Sequence, residues 1–210
     1  MPEPIRDIDP VIVRRNLERV RERAGPDVEI LAATKYVPIE EMETLAEAGV
    51  ELVGENRLQD LEAKREQHGD LFTWDFIGNL QSRKVKRIVG AVRLIHSVAS
   101  ESALEQLGRH ATPEMEVLVE VDLSGEESKG GVPPAELDAF IERCPVRVVG
   151  LMTMPPFTDQ PEASRPYFSR LAELAAERDL ERLSMGTSQD WEVALLEGAT
   201  TLRLGTSLYR

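Results

Sequence analysis

Lys35 closes an apolar run, Glu29-Ile30-Leu31-Ala32-Ala33-Thr34-Lys35, and Tyr36-Val37-Pro38 follows as a break. The run has the length and composition of a buried β-strand, which puts the amine at the strand's C-terminal mouth. An amine held among apolar neighbours loses the solvation of its ammonium form, so more free amine is present near neutral pH. A free amine adds to carbonyls, which makes Lys35 a candidate for Schiff-base chemistry. On its own strand the same residue also reads as a solvated surface lysine, so the decision rests on what the chain places opposite it.

Two later segments end in glycine and hydroxyl residues: Leu183-Ser184-Met185-Gly186-Thr187-Ser188, with a helix beginning near Gln189, and Arg203-Leu204-Gly205-Thr206-Ser207. Backbone N–H groups and hydroxyls gathered at helix starts bind phosphate. Ser188 and Thr206 read equally as N-caps. Arg203 is a cation inside an apolar strand, so it must face either a carboxylate or a ligand. Asn56 stands at the end of Leu52-Val53-Gly54-Glu55, where its amide can donate or accept a hydrogen bond, or simply close a turn. Ile77 and Gly78 end Trp74-Asp75-Phe76, as a flat wall for a planar ring or as a core residue and a turn. Met152 and Met154 read as packing. An amine on one side, a phosphate cradle on the other and a cation between them describe a site for pyridoxal 5'-phosphate. An aldolase-type lysine attacking a sugar phosphate would use similar parts.

These residues need a scaffold that brings strand ends together. Apolar runs at Glu29–Lys35, Glu51–Asn56, Phe72–Gly78, Leu94–Val98, Glu116–Asp122, Arg147–Met154, Arg182–Gly186 and Thr201–Gly205 alternate with helical patterns. Those patterns cover Ile39–Ala48, Leu58–Gln67, Ser82–Val89, Glu101–Leu107, Pro134–Glu142, about 162–178, and Gln189–Glu197, with an amphipathic helix from Pro10 to about Arg23 before the first strand. Eight strand–helix units predict an α/β fold, a single (β/α)8 TIM barrel with an extra N-terminal helix, occupying 1–210 as one domain. In that fold the site lies at the C-terminal ends of the strands, with phosphate at strands seven and eight. No Gly-rich dinucleotide fingerprint follows the first strand, which speaks against an open doubly wound sheet.

Composition narrows the classes further. The 210 residues carry a formal net charge of −13, which disfavours nucleic acid as a partner. No run is long and apolar enough for a bilayer, and the N-terminus lacks the apolar centre of a signal peptide. A single cysteine, Cys144, fits a reducing, cytoplasmic setting. His68, His96 and His110 lack partners at metal-ligand spacing, so no metal site is expected.

The motifs Ala33-Thr34-Lys35, Gly54-Glu55-Asn56, Phe76-Ile77-Gly78, Leu80-Gln81-Ser82, Ile95-His96-Ser97-Val98, Gly150-Leu151-Met152, Leu183-Ser184-Met185-Gly186 and Arg203-Leu204-Gly205-Thr206 occur in an order that resembles the YggS/PROSC family of pyridoxal phosphate homeostasis proteins, over about Val11 to Tyr209. The resemblance implies a barrel similar to the N-terminal domain of alanine racemase, with Lys35 holding pyridoxal 5'-phosphate as an imine. It implies Ser184, Met185, Gly186, Gly205 and Thr206 at the phosphate, Arg203 at the pyridine nitrogen, and Asn56, Ile77 and Gly78 along the ring. The family acts in vitamin B6 homeostasis and lacks a confirmed enzymatic activity. A non-catalytic, monomeric carrier or regulator is therefore expected, with apo forms of pyridoxal-phosphate enzymes as recipients and an amino-acid racemase as the alternative. Tyr36, Tyr167 and Tyr209 do not match the racemase's second acid/base. Two departures, Asp75 for a frequent histidine and Thr187 for a frequent methionine, bear on the outer pocket and on partner surfaces.

Overall fold

The computed structural model describes residues 3–125 and 130–210. Eight parallel strands close into a barrel in sequence order, β1 (Glu29–Ala33), β2 (Leu52–Glu55), β3 (Thr73–Phe76), β4 (Leu94–Val98), β5 (Glu116–Glu120), β6 (Arg147–Met152), β7 (Arg182–Ser184) and β8 (Thr201–Leu204). β8 returns to β1 with Arg203 opposite Leu31, which closes the ring. All eight strands fall inside the predicted runs, and the α/β (β/α)8 barrel is the observed architecture.

The extra N-terminal helix is α1 (Pro10–Ala24). Asp9 caps it by accepting the Val11 N–H at 2.8 Å, with proline at the first helical position. Its buried stripe is Val13, Leu17 and Val20, with Asn16 alongside donating to the carbonyls of Leu208 and Arg210 at 3.1 Å. The other helices are α2 (Met42–Glu47), α3 (Leu58–His68), α4 (Val85–Ile88), α5 (Glu101–His110), α6 (Leu137–Arg143), α7 (Arg165–Ala176), α8 (Trp191–Leu196) and α9 (Thr206–Tyr209). The sequence pattern does not announce α9, which is one turn long and shorter than a hydrophobic period can register.

Strand ends are shorter than their apolar runs. β1 stops at Ala33, and Thr34-Lys35-Tyr36-Val37 turns back through a Val37 N–H to Thr34 carbonyl bond of 2.9 Å. Lys35 therefore sits on a turn beyond the strand, and it is exposed. Of the two readings of its strand, apolar neighbours around the amine or a solvated surface lysine, the second holds.

Apolar residues form two separate cores. The larger lies between sheet and helices, where Leu202 and Leu204 of β8, Phe76 of β3 and Ile95 of β4 meet helix residues such as Leu61, Leu107 and Phe168. The smaller is Leu94, Leu118, Val149 and Met152. Strand alternation turns the remaining positions inward, so the interior also holds Asp75, His96, Ser184 and Arg203, all buried.

Candidate active site at the strand C-termini

A cavity of about 940 Å3 opens at the C-terminal ends of the strands, within the range of small-molecule sites. Lys35, Asn56, Ile77, Gly78, Arg203, Gly205 and Thr206 line it, joined by Tyr36, Ser97, Glu120, Thr187, Ser188 and Gln189. Seven of the ten residues singled out from the sequence thus share one cavity. Ser184, Met185 and Gly186 are not among the lining residues. Ser184 lies behind Arg203, Met185 is wholly buried in the outer core, and Gly186 accepts the Arg203 N–H at 3.0 Å. Thr187 and Ser188, the next residues along, reach the cavity instead.

Lys35 enters on the turn after β1. Its Nζ lies 4.8 Å from the centroid of the Tyr36 ring, a cation–π approach. The turn is held from behind. Lys64 on α3 donates to the Thr34 carbonyl at 2.8 Å and pairs with Glu55, and the Thr34 hydroxyl donates to the same Glu55 oxygen at 2.6 Å. Tyr209 adds a hydrogen bond to the Ala33 carbonyl at 3.1 Å. Lys64, Glu55 and Tyr209 are all buried; from the sequence Lys64 was not noticed, Glu55 stood only inside a motif, and Tyr209 was considered only as an acid/base that does not match.

Arg203 is opposite in character. It is 5% exposed, and its Nη1 donates to Ser184 Oγ at 2.6 Å while Nη2 donates to the Thr153 carbonyl and approaches Met154 Sδ, each at 2.9 Å. Its hydrogen-bond partners are neutral, not the carboxylate that burial of a cation first suggests. Burial pushes the guanidinium down to about 10, with Glu120 and Asp190 opposing. Met154, read from sequence as packing, thus contributes its sulfur to this group.

Behind Arg203 stands a second buried pair. His96 Nδ1 lies 2.8 Å from Ser184 Oγ, and its Nε2 lies 3.1 Å from Asp75 Oδ2. Asp75 also accepts two bonds from Arg93, at 3.0 and 2.7 Å, and Arg93 continues to Glu29. Burial raises the Asp75 carboxyl, but His96 and Arg93 outweigh it and hold it below the usual carboxylate range. Burial lowers the His96 imidazole, with Arg203 and Arg93 adding to that and Asp75 opposing. Asp75 therefore belongs to the barrel interior, not to the outer pocket where its departure from the family pattern was placed. His96 was read as a scattered histidine without metal partners and as part of the Ile95-His96-Ser97-Val98 motif, with no role of its own. Its signal was available in Leu94-Ile95-His96-Ser97-Val98, a fully buried strand with two polar residues at its centre.

Glycine shapes the wall and the cradle. A Cβ on Gly78 would stand 2.1 Å from the Asn56 carbonyl oxygen, so any larger residue separates β2 from β3 at the cavity edge. Gly186 has φ +87, and a Cβ there would meet Ala194 at 2.6 Å. The loops after β7 and β8 are tied together by Ser188 Oγ, which accepts from the N–H groups of Gly205 and Ser207 at 3.1 and 3.2 Å. Asp190 closes the loop after β7 by accepting the Thr187 N–H at 2.7 Å. Neither Ser188 nor Thr206 is the N-cap of its own helix: Asp190 and Gly205 hold those positions, Ser188 serves the start of α9 from the neighbouring loop, and Thr206 is the first residue of α9.

The donor set suits pyridoxal 5'-phosphate. An exposed amine, a fixed guanidinium and hydroxyl-bearing loops surround one cavity. In addition, Asn56 Oδ1 is buried with no hydrogen-bond partner among the described residues, a condition that a ligand donor would relieve. Glu120 is a carboxyl on the cavity wall that burial raises above its usual range. It too was missed from sequence, because one acidic residue at a strand end carries no pattern.

Residues 8–210 match the family described as alanine racemase, N-terminal domain. The chain is 42% identical over 215 residues to the pyridoxal phosphate homeostasis protein of Aquifex aeolicus, covering 93% of this chain and 94% of that one. It is similar to PipY of Synechococcus elongatus, solved with PLP bound, with a TM-score of 0.81 at 30% identity, over 94% of this chain and 100% of PipY. Alanine racemase from Corynebacterium glutamicum shares the fold at 16% identity, with a TM-score of 0.74 over 96% of this chain and 61% of the racemase.

Proposed function

The chain belongs to the pyridoxal phosphate homeostasis proteins of the alanine racemase N-terminal domain family, and from that premise we propose that it binds pyridoxal 5'-phosphate and serves its homeostasis, with Lys35 as the residue that retains the cofactor. One observation carries the site assignment. A lysine amine and a buried arginine stand on the same cavity as the paired loops after β7 and β8. When bound, the cofactor supplies an aldehyde that an amine can capture, releasing water. Lys35 supplies that amine, and its exposure leaves it accessible to a ligand arriving from solvent. Arg203 would face the ring nitrogen, and a guanidinium there would oppose protonation of the ring. The ring is then a weaker electron sink than one paired with a carboxylate. Asn56 Oδ1 would accept from a donor on the cofactor, and Ile77 and Gly78 would flank its ring. Thr206, Gly205, Thr187 and Ser188 would hold the phosphate, with Ser184, Met185 and Gly186 supporting that loop from behind.

The protein acts as one domain and a monomer, storing the cofactor and yielding it to apo-enzymes rather than turning over a substrate. A reversible link and a fixed ring partner favour retention over turnover, and the presence of Lys35 and Arg203 on one cavity supports that reading. Titration with pyridoxal 5'-phosphate should produce a visible absorption band in the wild type that Lys35→Ala lacks, with weaker phosphate-dependent binding remaining. A band of equal strength in the variant would remove Lys35 from the reading.

The racemase alternative is favoured by one feature: Tyr36 and Glu120 are ionisable groups on the same cavity. It requires Lys35-dependent exchange of the Cα hydrogen of an amino acid with solvent deuterium. The carrier reading expects no such exchange across a broad panel of amino acids.

A further inference from the structure

The buried groups behind Arg203 form a line with a direction. Asp75, its charge shared with Arg93, is an acceptor at His96 Nε2, so that nitrogen carries the proton. His96 is wholly buried between Asp75 and Ser184, and it faces two arginine charges. In its neutral form Nδ1 has only a lone pair to offer. The Ser184 hydroxyl, 2.8 Å away, must therefore donate to Nδ1. That leaves the Ser184 oxygen to accept from Arg203 Nη1 at 2.6 Å. Each bond then runs the same way, from Arg203 through Ser184 and His96 to Asp75. Further contacts at Thr153 and Met154 take up Nη2. N–H groups on Nε and Nη1 are left for a ligand in the cavity that Arg203 lines.

We propose that Ser184 and His96, anchored by Asp75, are positioning residues that hold Arg203 in one orientation and one donor pattern toward an acceptor on the ring of a bound ligand. The inference rests on the pyridoxal-phosphate reading for the identity of that ring. Its physical content is preorganisation. A long cationic side chain samples many rotamers, whereas one locked by neutral acceptors reaches the ligand with no further ordering. A carboxylate placed directly on Arg203 would lock it equally well but would also neutralise it. Relaying the Asp75 charge through a neutral imidazole and a hydroxyl fixes the guanidinium while its positive charge still faces the cavity. Asp75 thereby affects the ring without touching it.

Two measurements test this. In the ligand-free wild type, nitrogen NMR of His96 should show the neutral tautomer protonated on Nε2; a proton on Nδ1 would overturn the direction of the line. In the second, pyridoxal 5'-phosphate is compared with its deaza analogue, in which the ring nitrogen is replaced by C–H. Ser184→Ala should weaken pyridoxal 5'-phosphate about tenfold, the value of one hydrogen bond to a charged group, and leave the analogue unchanged. Ser184→Thr, which keeps the hydroxyl, should restore the difference. Equal loss for both ligands, or no loss for either, overturns the positioning role. Failure of the wild type to bind either ligand overturns the cofactor reading itself, while the His96 tautomer still decides the direction of the line.

Discussion

Among the described residues, the cavity's two cations, Lys35 and Arg203, are held in opposite ways. Behind Lys35, buried Lys64, Glu55 and Tyr209 grip backbone and the Thr34 side chain, and the lysine side chain itself is left exposed. Behind Arg203, Ser184, Thr153 and Met154 grip the guanidinium itself, which is buried. The difference matches two tasks. A nucleophile that forms and breaks a bond must move, so only its base is fixed. A hydrogen-bond donor gains from being immobile, so its head is fixed.

The comparison breaks most readily at the buried end. Asp75→Asn leaves Arg93 and His96 facing a neutral amide, and the loss of one partner from a buried charge cluster costs about 3–5 kcal/mol. Urea unfolding should show this loss; a change under about 1 kcal/mol would mean that Arg93 and water already carry the charge. Lys64→Met should cost about 3 kcal/mol, at the low end of the same range, because Thr34 still donates to Glu55. It should also loosen the Lys35 turn, seen as faster amide exchange at residues 34–37. Unchanged exchange there would mean that Tyr209 alone holds the turn.

Acidification sharpens the contrast. His96 has a folded value below its ordinary 6.5, so the unfolded chain takes up a proton first as pH falls. Stability is then full above pH 6.5 and declines below it, down to the folded value, by at most about 1.4 kcal/mol per pH unit. Asp75, held below its ordinary 3.8, adds a further loss as pH falls through its folded value. Denaturant titrations of wild type and His96→Gln at pH 7 and 5.5 should differ in pH slope, with the variant flatter. Parallel slopes would show that His96 takes up its proton alike in the folded and unfolded chains, so that folding does not lower it. The smallest effect belongs to Lys35. Because Lys35 is exposed, Lys35→Ala should change stability by no more than about 0.5 kcal/mol. A loss of several kcal/mol would mean that the lysine is structural.

The barrel was legible in the sequence because eight apolar runs and their intervening helices repeat with little interruption, and each observed strand falls inside a run. The cavity residues Lys35, Asn56 and Arg203 were legible because strand ends in such a barrel converge on one face. What stood behind them was not. Lys35 read both as a buried amine and as a solvated surface lysine, and only the fold decides for the second, because the apolar run outlasts the strand by two residues and the turn carries the amine outward. Ser184 looked like a cradle hydroxyl, yet strand alternation turns it inward to Arg203. Asp75, His96 and Lys64 come from three different elements with no common spacing, so their partnerships exist only after closure of the barrel.

The account turns on Lys35 as the residue that captures pyridoxal 5'-phosphate. The folded protein should be saturated with the cofactor, reduced with borohydride, digested, and the modified lysine located by mass spectrometry. The account predicts a single phosphopyridoxyl group on Lys35 and none on Lys64, which is buried against Glu55. A folded protein without an adduct at Lys35, or with its adduct on another lysine, would contradict it.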